Sequence, residues 1–473
     1  MRFRFALALV LAVLPLAAGC GAETPSGPAG ASVAPASAQL FLSVDTTFGS
    51  SQWDNARSLL AKFPDGDKAL DLVFGKLSAK GIDFDRDVKP ALGPETDVVG
   101  LNLSGQGEFV GLTQPDDLDK LKALLDRTGE QFVFRAVGDW TAFSDSAAVL
   151  DKFEQARAGG TLADSSDFRD AMDQVGGDAI ARLYVNGSAL QRSGLPKALN
   201  RLALSVKAEG EGVRVEGAAE LAENSEVSGS EPFKAELPHE VPAGALVYLD
   251  VNDLGSQLKA LRDMIAETNP SVDADIARAE HELGVSLDED VFPLFSGETA
   301  FYVRRGLIIP ELTLVTHVDN EQAAMATVGK LVEGLREYVP MLGTERDVEI
   351  DGVPAKEVPL KAPFSLYYAA FDGHLVITTS KDGISALREQ DDRLADDPAF
   401  KDALDQAGVP DETTGFGYVD LKSAIPYVLG LFELNGGTVP PELRTNLEPL
   451  QHLTFYGTKD GHTVKFAGLL AVD

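Results

Sequence analysis

Carboxylates at alternate positions, Asp83, Asp85 and Asp87, have the spacing with which an EF-hand loop presents its first calcium ligands. The same loop requires glycine at its sixth position and glutamate at its twelfth. This chain has Val88 and Pro94 there, so two requirements for calcium binding fail.

A related segment further along the chain begins with Ser286, which removes the first carboxylate of the run. The alternative is that Asp87 and its counterpart Asp290 accept backbone N–H bonds and cap a short turn. Each turn would precede a proline, Pro90 or Pro293. The sequence favours this capping role over a calcium site.

Histidine chemistry has no recognisable pattern in this chain. The six histidines all follow residue 238, so the first half of the chain cannot share an activity based on them: His239, His281, His317, His374, His452 and His462. None belongs to an HExxH pair, and no two have the helical spacing of metal ligands. Most are expected to be surface or strand residues.

Signatures of nucleophile elbows, P-loops and dinucleotide-binding turns are also missing from the sequence. Carboxylates are too abundant for one pair to be singled out as acid and base. We therefore expect no catalytic residue, no metal and no cofactor, and a protein that is not an enzyme.

One residue does have chemistry that can be assigned from its surroundings, Cys20. Arg2 and Arg4 precede an uncharged apolar run, Phe5–Ala18, which is typical of a secretory signal peptide. The run is shorter than the ~20 apolar residues that a membrane-spanning helix needs. It ends in Leu16–Gly19, small residues before a cysteine whose thiolate can be alkylated by a diacylglyceryl donor. Residues 1–19 are predicted to be a lipoprotein signal peptide, with Cys20 lipidated.

The signal departs from the usual pattern because Leu16 lies four residues before the cysteine rather than three. The alternative is an ordinary secreted protein cleaved near Ala22. Cys20 is the only cysteine, so a disulfide within the chain is excluded. A lone thiol in an oxidising envelope is a liability unless it is modified.

The segment that follows, Gly21–Ala36, is rich in Gly, Ala, Pro and Ser and is expected to be a flexible tether. No later segment has eighteen consecutive apolar residues. The body is therefore expected outside the membrane, anchored through lipid on Cys20 at the extracytoplasmic face.

An internal repeat organises the rest of the chain. Pro35–Leu42 matches Pro242–Leu249 at an offset of 242 − 35 = 207 residues, and Gly81–Pro90 matches Gly284–Pro293 at 284 − 81 = 203. The order of matches is kept, which indicates a tandem duplication. The predicted organisation is a signal peptide over 1–19, a tether over 20–36, a unit over 37–222, a linker over 223–240 and a second unit over 241–473.

The secondary structure expected within a unit has helices and neighbouring hairpins. Alternating apolar positions predict strands over Leu40–Val44, Asp97–Leu101, Phe132–Val137 and Val213–Ala219. Helical spacing predicts helices over Trp53–Phe63, Leu118–Leu125, Ala147–Ala156 and Phe168–Val175. Adjacent hairpins favour an α+β fold, a mostly antiparallel sheet packed with helices and duplicated in tandem.

Three of these segments together resemble a known family. The strand Leu40–Asp45, the helix end Leu59–Pro64 and the stretch Asp85–Gly93 are similar to a bacterial envelope family catalogued as domain of unknown function 3352 (DUF3352). The resemblance implies an exported or membrane-attached protein of actinobacterial type. It implies no catalytic residues.

The two copies differ at a hairpin tip. At the 203-residue offset, the polar turn Ser104–Gly107 of the first copy becomes Leu307, Ile308, Ile309 and Pro310. Exposed aliphatic residues in a row form a patch that soluble monomers usually avoid. The tip is either a docking site for a partner, a lipid surface or the other copy, or a surface that packs on the neighbouring domain.

A second difference is an insertion after Asp420. Its apolar residues repeat at helical spacing and form one face: Leu421, Ile425, Val428, Leu429, Phe432 and Leu434. This helix either packs in a core or between domains, or serves as a ligand lid or a membrane-lying helix. Membrane-lying helices normally carry Lys and Arg opposite the apolar face, and only Lys422 is basic here.

The net charge of −33 argues against binding nucleic acid or anionic lipid head groups through the body. Three functions are then weighed. The first is a non-enzymatic envelope protein that binds another protein or a wall component. The alternatives are a carrier or sensor of an apolar small molecule or lipid, and a hydrolase that uses acidic residues.

Overall fold

The computed structural model describes residues 27–66, 81–127, 129–191, 199–222, 231–269, 271–306, 309–360, 364–389 and 392–473. The chain divides into two compact units. Unit 1 holds the residues up to Ser225 together with Pro440–Leu450 and His462–Asp473, and unit 2 holds Glu226–Val439 with Gln451–Gly461. The predicted signal peptide and Cys20 lie outside the described residues.

Unit 1 is built on one antiparallel sheet. Its strands are β1 (Leu40–Asp45), β2 (Glu95–Asn102), β3 (Glu108–Thr113), β4 (Val133–Val137), β5 (Trp140–Ser144), β6 (Ala181–Asn186), β7 (Leu199–Glu209), β8 (Gly212–Leu221) and β18 (Thr463–Val472). They lie in the order β4-β5-β3-β2-β1-β6-β7-β8-β18.

Unit 2 repeats this order. Its strands are β9 (Ala245–Asn252), β10 (Glu298–Arg304), β11 (Glu311–His317), β12 (Arg346–Ile350), β13 (Val353–Pro359), β14 (Ser365–Phe371), β15 (His374–Thr378), β16 (Gly415–Asp420) and β17 (Leu450–Asp460). They lie in the order β12-β13-β14-β15-β11-β10-β9-β16-β17, also antiparallel throughout. Unit 2 has two additional strands at one edge of its sheet, the hairpin β12–β13, which pairs with β14. In unit 1 the strand equivalent to β14 is β4, the last described strand at that edge.

The α-helices of the first repeat are α1 (Ser51–Leu60), α2 (Lys89–Leu92), α3 (Leu118–Asp126), α4 (Ala147–Arg157), α5 (Ser166–Asp173) and α6 (Gly187–Gln191). Those that follow are α7 (Leu254–Thr268), α8 (Ser271–Leu283), α9 (Glu321–Tyr338), α10 (Asp382–Arg388), α11 (Pro398–Ala407), α12 (Leu421–Leu434) and α13 (Pro441–Leu447). No helix in the described part of the chain is long and apolar enough to cross a membrane.

The α+β prediction is confirmed, since the predicted strands and helices of the first repeat correspond to β1, β2, β4, β8 and to α1, α3, α4, α5 within a few residues. Successive strand residues point to opposite faces, so each sheet forms two cores. On β5, Ala142 belongs to the same core as Phe153 of α4, whereas Phe143 belongs to the core that contains Trp53 of α1. On β14, Ala369 and Tyr368 divide in the same way between two cores.

The flexible tether predicted over 20–36 is wrong from Gly27 onward. Ala29–Ser32 forms a 3₁₀ turn, and Ala34 is fully buried. The side chain of Glu95 accepts hydrogen bonds from the backbone N–H groups of Ala29 and Gly30, at 3.0 and 2.7 Å. Small residues form this segment because it lies close against the sheet: a Cβ on Gly30 would lie 1.6 Å from Oδ2 of Asp97.

The predicted linker and unit boundaries are corrected in two places. Residues 223–230 lie outside the described residues, but Leu237 is fully buried in the core of unit 2, so the linker does not extend to 240. At the other end, β18 pairs with β8 and belongs to unit 1 rather than to the second unit of 241–473. Apolar patterning specifies a strand but not its partner, which explains this second error.

Candidate functional site

The inserted helix lies beside the residues that lead from β10 into the hairpin tip of unit 2. The helix α12 begins where the carboxylate of Asp420 accepts the N–H of Ser423 at 2.9 Å. Its Tyr427 hydroxyl lies 3.1 Å from the amide nitrogen of Gly306 and 3.2 Å from its carbonyl oxygen. Arg305 donates to the Ser423 carbonyl. Arg305 and Gly306, at the start of the turn that follows β10, are thereby fixed to the helix.

The outer face of α12 is apolar and exposed. None of the residues of α12, all of which the structure describes, is buried. Val428 is 56% exposed, Phe432 is 54% exposed and Leu434 is 83% exposed. The first interpretation of this helix is packing in a core or between domains, and the core part of it is wrong for this face.

A groove of about 510 Å³ borders the same turn. Ile309 and Pro310 line one side, and Phe364 and Tyr367 line another, with Lys381 close to the Tyr367 ring at 5.8 Å from its centroid. The groove therefore combines aromatic and aliphatic walls with a cation.

The predicted interaction surface is placed as follows. Leu307 and Ile308 lie outside the described residues, and Ile309 lines the groove. On α12, Ile425 and Leu429 are half-buried, whereas Val428 and Phe432 are exposed. The name α12 surface is used below for Ile425, Val428, Leu429, Phe432 and Leu434.

The acidic run forms a turn, as the capping interpretation predicts. Asp87 accepts the N–H of Asp83 at 2.9 Å, and Asp290 accepts the N–H of Ser286 at 2.9 Å. Hydrogen bonding from the Arg86 side chain lowers the pKa of Asp87. This pairing keeps the carboxylate charged within a structural turn.

Each unit also holds a fully buried aspartate beside a glutamate, a pair that sequence reasoning did not identify. In unit 1, burial and the nearby Glu95 raise the pKa of Asp97 well above its usual range. In unit 2, burial and the nearby Glu298 raise the pKa of Asp250 to about 9, although the Tyr248 hydroxyl donates a 2.6 Å hydrogen bond to it. Burial thus favours the protonated form of both aspartates, and a pKa of about 9 keeps Asp250 protonated at neutral pH.

Two histidines that looked unrelated in sequence are strand partners. His317 ends β11 and His374 begins β15, opposite each other in the antiparallel register. Their ring centroids are 4.7 Å apart. Glu240 lies beside both, with its carboxylate oxygens 2.8 Å from His374 Nε2 and 3.7 Å from His317 Nε2. Only the strand register could have indicated this cluster in advance.

A second exposed apolar stripe lies on α7. Leu258 is 38% exposed, Leu261 is 46% exposed and Ile265 is 41% exposed. Their spacing of three and four residues is a helical signal that was available from the sequence. Exposure, however, depends on what packs against the helix.

Comparison with known proteins gives a family without a function. A family model described as "Protein of unknown function (DUF3352)" matches residues 120–470. The match includes most of both repeats, but the three segments that carried the resemblance in sequence precede it. No curated protein matches the chain significantly.

Three solved structures, all crystal forms of TP0453, are similar to parts of the chain. Form IV covers 48% of this chain and 76% of its own, at 16% identity and a TM-score of 0.25. Form III covers 50% and 79%, at 15% identity and a TM-score of 0.27. Form I covers 45% and 90%, at 9% identity and a TM-score of 0.23.

Proposed function

We propose, for a chain that belongs to the DUF3352 family of proteins of unknown function, that it is a lipid-anchored envelope protein which binds another protein and catalyses no reaction. The observation that carries this proposal is the α12 surface. An apolar helix with no buried residue is costly to leave in water unless a partner covers it.

The composition of α12 and the charge of the whole chain favour a protein over a membrane as the occupant of this surface. Helices that lie on anionic membranes present Lys and Arg beside the apolar face. Lys422 is the one basic residue of α12, and the whole chain carries a net charge of −33. The partner that fits is a protein with an apolar patch inside a basic surround, because opposite charge steers association and like charge opposes it.

Neither of the cavities described in unit 2 supports the alternative of a lipid carrier. Arg305, Lys381 and Asp382 line the groove beside the turn. His374, Arg388 and Arg393 line a second cavity of about 340 Å³. An acyl chain would leave these charged groups without water, which is unfavourable.

The binding surface is tested by photo-crosslinking in the producing bacterium. A Phe432→p-benzoylphenylalanine variant is expected to form a covalent adduct with one envelope protein. Adding Val428→Ser should reduce the yield several-fold by weakening the apolar contact. The matched control carries the crosslinker at Leu118, a residue of unit 1 that is 39% exposed, and should not form this adduct. An adduct with lipid, equal adducts from both positions, or no adduct would contradict the proposal.

Membrane anchoring is tested separately at Cys20. The proposed thioether-linked lipid should keep the chain in the membrane fraction after cell breakage and add a diacylglyceryl mass to the mature N-terminus. Cys20→Ser should move the chain to the soluble fraction. A wild-type chain that is soluble, or that is cleaved near Ala22 without lipid, would show an ordinary secreted protein.

A further inference from the structure

We infer that unit 2 has a binding site for one divalent transition-metal ion of the Zn²⁺ class, formed by Glu240, His317 and His374. Their ligand atoms all lie within 4.8 Å of one another. Zinc favours imidazole nitrogen and carboxylate oxygen, and three protein ligands leave its fourth position open. The inference does not depend on the proposed function.

The distances are those of a site that needs little rearrangement. Bond lengths of about 2.0–2.1 Å in a tetrahedron place ligand atoms about 3.3 Å apart. Oε2 of Glu240 lies 2.8 Å from Nε2 of His374, and the other oxygen, Oε1, lies 3.7 Å from Nε2 of His317. A rotation of the Glu240 carboxylate and small movements of the two rings would bring one oxygen to about this distance from both imidazoles.

The backbone fixes all three ligands. His317 and His374 are register partners, so their side chains leave the sheet on the same face. Glu240 follows the 3₁₀ turn Leu237–His239, whose first amide donates to the buried Glu298 at 2.8 Å. Arg393 donates to the carbonyl of Glu240. The ligands are therefore presented by anchored segments rather than by a free loop.

The surroundings of the two rings also fit metal binding. Nε2 of His374 is buried and has no hydrogen-bond partner among the described residues, since its approach to Glu240 lacks hydrogen-bond geometry. On the other ring, Nδ1 of His317 lies 4.0 Å from the Glu298 carboxylate. This distance is longer than a hydrogen bond, so Glu298 contributes negative charge near the site, which favours a cation, rather than a bond to the ring.

The open position has room for an exogenous ligand. The cavity of about 340 Å³ is lined by Glu240 and His374 together with Arg388 and Arg393. Water or a small anion could therefore reach the metal, with the two guanidinium groups nearby.

Unit 1 provides an internal control. The structural counterparts of the three ligands there are Val33, Gln114 and Trp140, which supply no such ligand set. The chain should accordingly bind one ion and not two.

The test uses the mature chain carrying Cys20→Ser, which removes its only thiol. Titration with Zn²⁺ by calorimetry should give one site per chain, and Co²⁺ should give the visible absorption of a tetrahedral site. His374→Ala should weaken binding by at least about tenfold. Glu240→Gln should weaken Zn²⁺ binding as well. Because the change is conservative and the side chain is 38% exposed, this variant should fold normally, so its loss of binding would not be due to misfolding.

The matched control is His281→Ala, an exposed histidine on α8, which should bind like the parent. Zn²⁺ should raise the melting temperature of the parent and of this control, but not of the two ligand variants. Absence of one-site binding, or one-site binding that both ligand variants retain, would overturn the inference.

Discussion

The two units have equivalent strands in the same order, but they differ in how far the helix after the first strand is buried. In unit 1, α1 follows the first strand and buries Trp53, whose indole N–H donates to the Asp45 carbonyl at 2.7 Å. In unit 2, α7 follows the first strand and leaves Leu258, Leu261 and Ile265 partly exposed. The shared part of the sheet is thus the same in both units, while the described helix that follows the first strand buries its large aromatic residue in unit 1 and leaves an apolar stripe partly exposed in unit 2.

Each unit has a buried aspartate on one of two neighbouring strands, but the aspartate lies on a different strand of the equivalent pair in each unit. Asp97 on β2 faces Ser43 on β1, whereas Asp250 on β9 faces Ala300 on β10. Because the offsets make Asp250 the counterpart of Ser43, and Ala300 the counterpart of Asp97, the carboxyl group has changed strands. What is shared is the pairing of a buried aspartate with a glutamate that holds the unit's N-terminal segment.

The largest expected difference between the units concerns α1 and α7. Trp53→Ala should lower the free energy of unfolding by about 3–5 kcal/mol, because it opens a cavity in a closed core. Leu261→Ala, at a residue that is 46% exposed, should lower it by less than about 1 kcal/mol. Denaturant unfolding followed by circular dichroism measures both. Equal losses would show that α7 is as firmly packed as α1.

The glutamates of the two units should differ in the same experiment. Glu298→Ala removes the acceptor of the buried N–H of Leu237 and should cost about 2–4 kcal/mol. Glu95→Ala should cost less, since of the two N–H groups that donate to Glu95 that of Ala29 is exposed to water and that of Gly30 is only partly buried. Glu298→Gln, which keeps an acceptor oxygen, is the control and should recover part of the loss. A larger loss of unfolding free energy in Glu95→Ala than in Glu298→Ala would contradict this expectation.

The pH dependence of stability tests the buried acid of unit 2. The folded pKa of Asp250 is about 9, above the unfolded value of about 3.9, so the native state keeps a proton that the unfolded chain releases. This contribution to stability is present at low pH and is lost as the pH rises between these two values. Asp250→Asn cannot ionise, so its melting temperature relative to wild type should increase from pH 5 to pH 8.

In unit 1, the melting temperature of Asp97→Asn relative to wild type should also increase with pH, because burial also raises the pKa of Asp97. Melting curves of wild type and both variants across this pH range provide the measurement. Curves that run parallel to wild type would mean that neither buried carboxyl group changes its protonation on folding.

The smallest expected effect on stability is at the α12 surface. Val428→Ser with Phe432→Ser should change the free energy of unfolding by less than about 0.5 kcal/mol per site, because both side chains are already more than half exposed. Thermal unfolding of the double variant checks this. A clear loss of stability would mean that α12 is a packed element and that its role in binding must be reconsidered.

The sequence by itself determined the local structure and the duplication. Alternating and helical apolar patterns predicted the strands and helices of the first repeat, because these periodicities place side chains on one face of an element. The 203-residue offset also identified the turn at Asp87 and Asp290, where each carboxylate reaches an amide only four residues away. Such contacts are local and therefore readable from spacing.

Only the tertiary structure decided the long-range contacts and the exposed surfaces. Composition predicted a free tether, but Gly30 and Ala34 are small because they pack closely against a sheet, which composition alone cannot distinguish from disorder. His317 and His374 meet through strand register across 57 residues of sequence (374 − 317 = 57). The exposure of α12 depends on what packs against it, and a helical pattern specifies an apolar face without specifying what covers that face.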